Sequence, residues 1–470
     1  MQYLKRIGSI SIILSMVLAV FISCSSEEEP DKPNILLIYV DDLGYGDPGC
    51  YGGTDIMTPN MDRLAAEGVR FTDAHVTCAV CGPSRMGLLT GMYQQRLGVY
   101  WNNDVWKEHG WLFPEDVKVI PQVVKEAGYV TGHIGKWNIS EFAQPFVDEA
   151  HDVMLWKGAY YPDEDGHYQG VNEGDFNPEP HGWGPPREGA EYLTDRLTRH
   201  ATDFIENHKT EPFFLYLAYN APHTPAQADR KYDEIYSHLE PEPYRIYAGM
   251  VSSLDENIGK VLDKLDETGL SENTLVVFAS DNGPARGGSY IRGWLEDWPR
   301  VLMGSAGPLN GNKGNRYEGG HREPFIIKWP SKLEGGQVYG GLTSTLDILP
   351  TIANAAGAGL PQQTLDGVDL MPFLLEEKQE APHDTLYWMT QNQAAVRAGD
   401  WKLILFPKGR AELYNLADDL GEQNDLSEEK PELVKELIAA IQDWSKDYPK
   451  PTAYESKPDF SEYPSTDDEK

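Results

Sequence analysis

Cysteine is scarce in this chain, with four in 470 residues, and so is positive charge, with 40 lysines and arginines against 74 aspartates and glutamates. The net charge of −34 excludes nucleic acid as a partner, because phosphate binding needs a basic face. It keeps the protein soluble and says little about the fold. Cys78-Ala-Val-Cys81 has the spacing of a redox dithiol or half a zinc site. Only Cys24 and Cys50 remain to complete four ligands, and a redox motif of that kind opens a small βαβ domain rather than lying deep in a large chain. A membrane span is missing as well: the apolar stretch Ile10 to Ile22 falls short of the about 20 residues that a span needs.

That stretch follows Lys5 and Arg6 and reads as a secretory signal. It ends in Phe21-Ile22-Ser23-Cys24, which is similar to a bacterial lipobox with an unusual first residue. The similarity implies cleavage before Cys24 and a lipid on that cysteine. Ser25-Ser26-Glu27-Glu28-Glu29 resembles the surface-export signal of Bacteroidetes lipoproteins. The expectation is a signal peptide over 1–23 and a lipidated linker over 24–32, with the protein tethered to the membrane at the outer membrane or cell surface, or in the periplasm. A plain signal peptide and a soluble periplasmic protein is the alternative. Cys50 and Cys78 are candidates for a disulfide in such a compartment, which depends on geometry.

What the chain has in quantity is apolar, β-rich runs that stop at polar residues. Ile35–Val40 ends at Asp41-Asp42, and Tyr129–Ile134 runs into Gly135-Lys136-Trp137-Asn138. Phe213–Ala218 ends near Asn220 and His223, and Leu275–Ala279 ends at Ser280-Asp281-Asn282-Gly283. Continuous apolar runs are what parallel strands covered on both faces look like. Helical stretches over Met61–Gly68, Ile120–Ala127, Tyr192–Asn207 and Tyr244–Thr268 separate them. The alternation predicts an α/β fold, a large and mostly parallel central sheet flanked by helices, whose ligands bind outside the carboxyl ends of the strands. All four polar clusters fall there.

Asp41, Asp42, Asp281 and Asn282 offer only oxygen, which suits a hard cation such as calcium or magnesium and not zinc. Cys81-Gly-Pro-Ser-Arg85 precedes Leu88-Leu-Thr-Gly91, with Pro83 at the place of a first helical turn. A helix start there faces unpaired N–H groups and the positive end of a dipole, which favours anions.

The Cys-x-Pro-x-Arg pattern resembles the signature of the type I sulfatases, members of the alkaline-phosphatase-like superfamily, and Asp41-Asp-Leu-Gly-Tyr-Gly-Asp47 is similar to the family's opening motif. The likeness runs over residues 33 to 445, including Val396–Leu403 and Glu412–Leu416. It implies that a formylglycine-generating or anaerobic maturing enzyme converts Cys81 to formylglycine (3-oxoalanine). It also implies that this residue, with Asp41, Asp42, Asp281 and Asn282, holds a calcium ion. By the same resemblance Arg85 orients the formylglycine, Lys136 and Lys313 contact sulfate, and His223 assists the leaving group. The implied reaction is attack on sulfur by one oxygen of the hydrated aldehyde, then loss of a proton from the other to expel sulfate. Asn138 departs from the pattern: the family usually has a histidine after Gly-Lys-Trp, and an amide cannot act as a base. By strand parity His133 points away from Lys136 and Asn138, so His223 or His321 is the substitute to look for.

The expected activity is a bacterial lipoprotein carbohydrate sulfatase, a sulfuric ester hydrolase acting on a sulfated polysaccharide or its oligosaccharides. The alternatives are a phosphatase or phosphodiesterase of the same superfamily, or a surface protein that binds sulfated glycan without turnover. Tyr100-Trp101, Trp106 and Trp111, with the long insertion Pro145–Glu191 carrying His151, His167 and His181, are candidates for sugar contact. The catalytic domain is expected over 33–365, a smaller C-terminal α+β subdomain over 366–455 with a helix near Glu432–Trp444, and an acidic tail over 456–470, its composition that of a disordered segment.

Overall fold

The computed structural model describes residues 32–105, 113–139, 146–154, 160–162, 167–168, 182–184, 189–285, 303–451 and 463. The expected signal peptide, Cys24, Trp106, Trp111, His181, most of the insertion and nearly all of the tail lie outside the described residues. Eight strands form the central sheet: β1 (Asn34–Val40), β2 (Val69–Phe71), β3 (Val130–Lys136), β4 (Glu149–Met154), β5 (Phe213–Ala218), β6 (Thr274–Ser280), β7 (Phe325–Lys328) and β8 (Gln337–Tyr339). Their order across the sheet is β8-β2-β7-β6-β1-β5-β3-β4. The run from β6 to β4 is parallel throughout, and β7 is antiparallel to β6 and to β2. The four predicted strands are thus the adjacent parallel strands at its centre.

Both faces of β1 are covered. Leu36, Ile38 and Val40 enter one core with α1 (Pro59–Glu67), α4 (Leu193–Asn207) and α5 (Glu242–Glu267). Ile35, Leu37 and Tyr39 enter the other with α2 (Cys81–Thr90), α3 (Ile120–Glu126) and α6 (Ile348–Ala355). This is why the strand reads as an unbroken apolar run rather than an alternating one.

Register then places the chemistry. Val40 lies opposite Ser280, and Tyr39 opposite Ala218. The next residues, Asp41, Asp281 and the Tyr219–His223 turn, therefore emerge at one edge, and β3 delivers Lys136 to the same edge. A second, antiparallel sheet of four strands, β9 (Thr385–Met389), β10 (Ala394–Ala398), β11 (Trp401–Phe406) and β12 (Arg410–Asn415), packs with α7 (Pro431–Ser445).

Candidate active site

Helix α2 begins at Cys81, and all ten of its residues are buried. Val80 at the N-cap has no side-chain acceptor, so the first N–H groups must find partners elsewhere. Gly82 N–H donates to Asn102 Oδ1 at 3.0 Å. A Cβ on Gly82 would sit 3.1 Å from the Asn138 carbonyl oxygen and 3.3 Å from Val105. The turn holding Asn102 is itself fixed, because Asp104 accepts from the N–H groups of Tyr100 and Trp101, each at 2.8 Å. Asn102 carries no sequence signal of its own; only the fold brings it to residue 82.

Around Cys81 the polar residues from the strand ends close in. Cys81 Sγ is 3.4 Å from Asp41 Oδ1 and 3.1 Å from Lys313 Nζ. Lys136 Nζ donates to Asp41 Oδ2 at 2.5 Å, and Lys313 Nζ to Asp42 Oδ1 at 2.5 Å. Burial would push the Asp41 and Asp42 carboxyls up, but His223 and Lys136 for the first, and Lys313 and His223 for the second, hold both below the usual carboxylate range. Burial pushes the Cys81 thiol far up, and Asp281 adds to that. As a thiol, residue 81 is protonated and a poor nucleophile at neutral pH.

Arg85 lies one helical turn below, fully buried. Its Nε and one terminal nitrogen donate to Asp281 Oδ2 at 3.0 and 2.7 Å, and the other terminal nitrogen donates to the Lys136 carbonyl and Tyr216 hydroxyl at 3.2 Å each. It therefore ties the ends of β6 and β3 to each other and to Tyr216 within β5. Close approach of another kind joins β6 to the segment after Lys313: a Cβ on Gly283 would fall 1.9 Å from the Gly319 carbonyl oxygen, so only glycine fits there.

Cation ligands are present in the right chemical form. Ligand atoms of Asp41, Asp42, Cys81 and His223 all lie within 4.8 Å of one another. Asn282 Nδ2 donates to Asp42 Oδ1 at 2.6 Å, while its buried Oδ1 has no protein partner. An amide oxygen held at an oxygen-lined carboxylate cluster and left unpaired is what a hard cation would complete. The described residues fit calcium or magnesium.

The histidines separate by position. His223 Nδ1 lies 2.6 Å from the Thr224 carbonyl and so donates to it, which turns Nε2 toward Asp42 Oδ2 at 3.7 Å. His133 packs beneath, against Trp137 and Tyr216, with Nε2 3.5 Å from the Lys136 carbonyl and its imidazolium disfavoured by burial to a pKa of about 3. His321 is not at the site. It bonds His75, the Arg316 carbonyl and Lys402 in a buried network. Asn138 is buried beside the nucleophile turn with φ of 56°, a left-handed conformation that asparagine tolerates. Cys50, Cys78 and Cys81 are free, so Cys50 and Cys78 are not paired.

Comparison with known proteins agrees with this geometry. The Sulfatase family description matches residues 33–358, and that of the N-sulphoglucosamine sulphohydrolase C-terminal region matches 312–447. The chain is 34% identical to human arylsulfatase A over 86% of its own length and 81% of that protein's. It is 29% identical to the N-acetylgalactosamine-6-O-sulfatase of Bacteroides thetaiotaomicron, over 90% and 96% of the two chains. The crystal structure of Ps i-CgsB with k-i-k-neocarrahexaose superposes with a TM-score of 0.76 at 32% identity, covering 90% of this chain and 94% of the other. With the fold, the strand-end cluster and these matches in agreement, the chain belongs to the sulfatase family and is a sulfuric ester hydrolase.

Proposed function

We propose that the enzyme removes sulfate from a sulfated carbohydrate, with residue 81 as formylglycine and calcium held by Asp41, Asp42, Asp281 and Asn282. The observation that carries this is the meeting of Cys81, two buried lysines and an oxygen-only carboxylate set at one sheet edge. Formylglycine supplies a hydrated aldehyde with two hydroxyls, and calcium supplies Lewis acidity. The remaining work falls to the chain. Lys136 and Lys313 attract the sulfuryl oxygens and offset the charge that grows on them. Arg85 holds Asp281 and the β3 carbonyl so that the floor beneath residue 81 stays fixed. As the imidazolium, which burial disfavours and Asp41 and Asp42 favour, His223 gives its Nε2 proton to the leaving oxygen and keeps the one at Nδ1.

Asn138 has no base to offer, and His133 and His321 face elsewhere. Among the described residues His223 is the histidine whose ligand atom lies within 4.8 Å of that of Cys81. It therefore takes the later proton as well, at the same Nε2. Sugar esters are the proposed substrates because the relatives and matched structures include carbohydrate sulfatases and a carrageenan-type oligosaccharide complex. The amino-terminal run supports export with a lipid on Cys24. The test is ion-chromatographic measurement of sulfate released by formylglycine-bearing protein from carrageenan, chondroitin and heparin oligosaccharides. Release from at least one is expected, and hydrolysis of a phosphate diester in place of all sulfate esters would overturn the proposal.

A further inference from the structure

A cavity of about 520 Å³ is lined, among the described residues, by Tyr244, Tyr317, the 304–307 segment, Leu309 and the asparagines of 310–315. That volume is in the range of small-molecule sites. We infer that it receives an unsulfated, hydroxyl-rich sugar residue of the same glycan whose sulfate reaches Cys81. The inference rests on the carbohydrate reading and deepens it.

Charge is the first argument. Among the described residues that line the cavity none is charged, in a chain of net charge −34. A second sulfate would need a cation there, and a metal would need a carboxylate. Amides, a hydroxyl and peptide groups around two aromatic rings suit neutral hydroxyls and the faces of a sugar ring.

Rigidity is the second. The asparagine wall is bonded to itself: Asn312 N–H donates to Asn315 Oδ1 at 3.0 Å, Asn315 N–H to the Asn312 carbonyl at 2.9 Å, and Gly319 N–H to the Asn310 carbonyl at 2.6 Å. Both phenols are anchored away from the ring faces, Tyr244 on Asp55 at 3.2 Å and Tyr317 on Glu412 at 2.7 Å. A pocket already in shape loses little on binding.

Position is the third. Asn312 lines the cavity while its neighbour Lys313 reaches Cys81 Sγ at 3.1 Å. Ser305, also in the lining, donates its N–H to Asp47 and accepts at its carbonyl from Gly46, in the loop that starts with Asp41-Asp42. The cavity and the ester site therefore draw on the same two loops.

The test uses the full formylglycine-bearing chain with sulfated hexasaccharides of the carrageenan, chondroitin and heparin types and with 4-nitrophenyl sulfate. Tyr244→Ala removes an aromatic face, and Tyr244→Phe keeps the ring but loses the Asp55 bond. We expect Tyr244→Ala to raise KM about ten-fold for the hexasaccharide that the parent desulfates, a loss of the size of one ring contact. Its kcat and its rate on the aryl ester should stay within about two-fold of the parent, and Tyr244→Phe should match the parent on both. An unchanged hexasaccharide KM in Tyr244→Ala, or an equal loss on both substrates, overturns the inference alone. A parent that hydrolyses the aryl ester and none of the hexasaccharides overturns the carbohydrate reading and the inference with it.

Discussion

Asn102 holds the turn that presents residue 81, through one hydrogen bond to the neighbouring Gly82 N–H. Removing the acceptor leaves a helix-start donor unpaired where the N-cap valine cannot help, a cost of about 1–3 kcal/mol for a buried group. Asn102→Ala should therefore lower kcat by about ten-fold with KM little changed, and Asn102→Asp, which keeps an acceptor, should restore most of it. Aldehyde labelling of residue 81 with an aminooxy probe should change rate in parallel, which a general loss of folding would not produce. Asn138 is the other single-residue question. Its φ of 56° is one that histidine also tolerates, so Asn138→His should fold. Its turnover should equal or exceed the parent's if sulfate release is limiting, since a dedicated general base contributes about 10²- to 10⁴-fold where His223 otherwise has to serve both steps. Burst kinetics on 4-nitrophenyl sulfate separate the two steps: a burst in the parent that disappears in Asn138→His is the expected pattern.

At the scale of elements, α6 and the approach to the C-terminal sheet meet at Asp347. Its carboxylate accepts from Ser344 and Val368 N–H, both at 2.8 Å, and from His383 Nε2 at 2.7 Å. Burial would lower the His383 pKa, but the charge and hydrogen bond of Asp347 raise it above the ordinary value of 6.5. A histidine raised on folding binds its proton more tightly in the folded state. Its contribution is complete below about pH 6.5 and is lost as pH rises through the folded-state value. The parent should lose stability relative to His383→Gln as pH rises above about 6.5, and the profile of His383→Gln should be flatter. Denaturant melts at a series of pH values measure the difference.

Elements also show what could be read from sequence. The strands at 34–40, 130–136, 213–218 and 274–280 were legible because strands buried on both faces announce themselves as apolar runs, and their polar stops marked the ligand edge. The helices at 59–67, 120–126, 193–207 and 242–267 agree with the periodicity to within two or three residues. Short β2, β7 and β8 gave no comparable signal, because three or four residues carry too little pattern. Contacts between distant segments were not legible either. Nothing local says that Asn102 reaches Gly82, or that His321 turns to His75 and Lys402 rather than to residue 81.

For the whole molecule the governing quantity is charge. A net −34 repels an anionic ester, and the site answers with Lys136, Lys313 and Arg85 gathered around residue 81. The proposed divalent cation would add to that positive centre and relieve the mutual repulsion of the carboxylates. Calcium that binds only the folded chain should stabilise it by about 2.7 kcal/mol at 100 times its Kd. Differential scanning fluorimetry should show that rise with calcium and its reversal by chelator. Asn282→Ala removes the unpaired Oδ1 without burying a lone charge, and should shrink the rise. An undiminished shift in that variant would place the ion elsewhere.

Cys81 is 2% exposed, at the head of a helix with no residue at the surface. A modifying enzyme needs to hold the thiol and several neighbours in its own cleft, and the finished fold offers none of them. On the proposed formylglycine chemistry the oxidation would therefore come first, and folding would then seal its product inside. Biogenesis would then acquire an order: a chain that folded too early would be locked as an inert thiol. Folded Cys81 protein mixed with the maturing enzyme should keep its thiol by mass spectrometry, while a peptide spanning residues 78–90 should be converted under the same conditions.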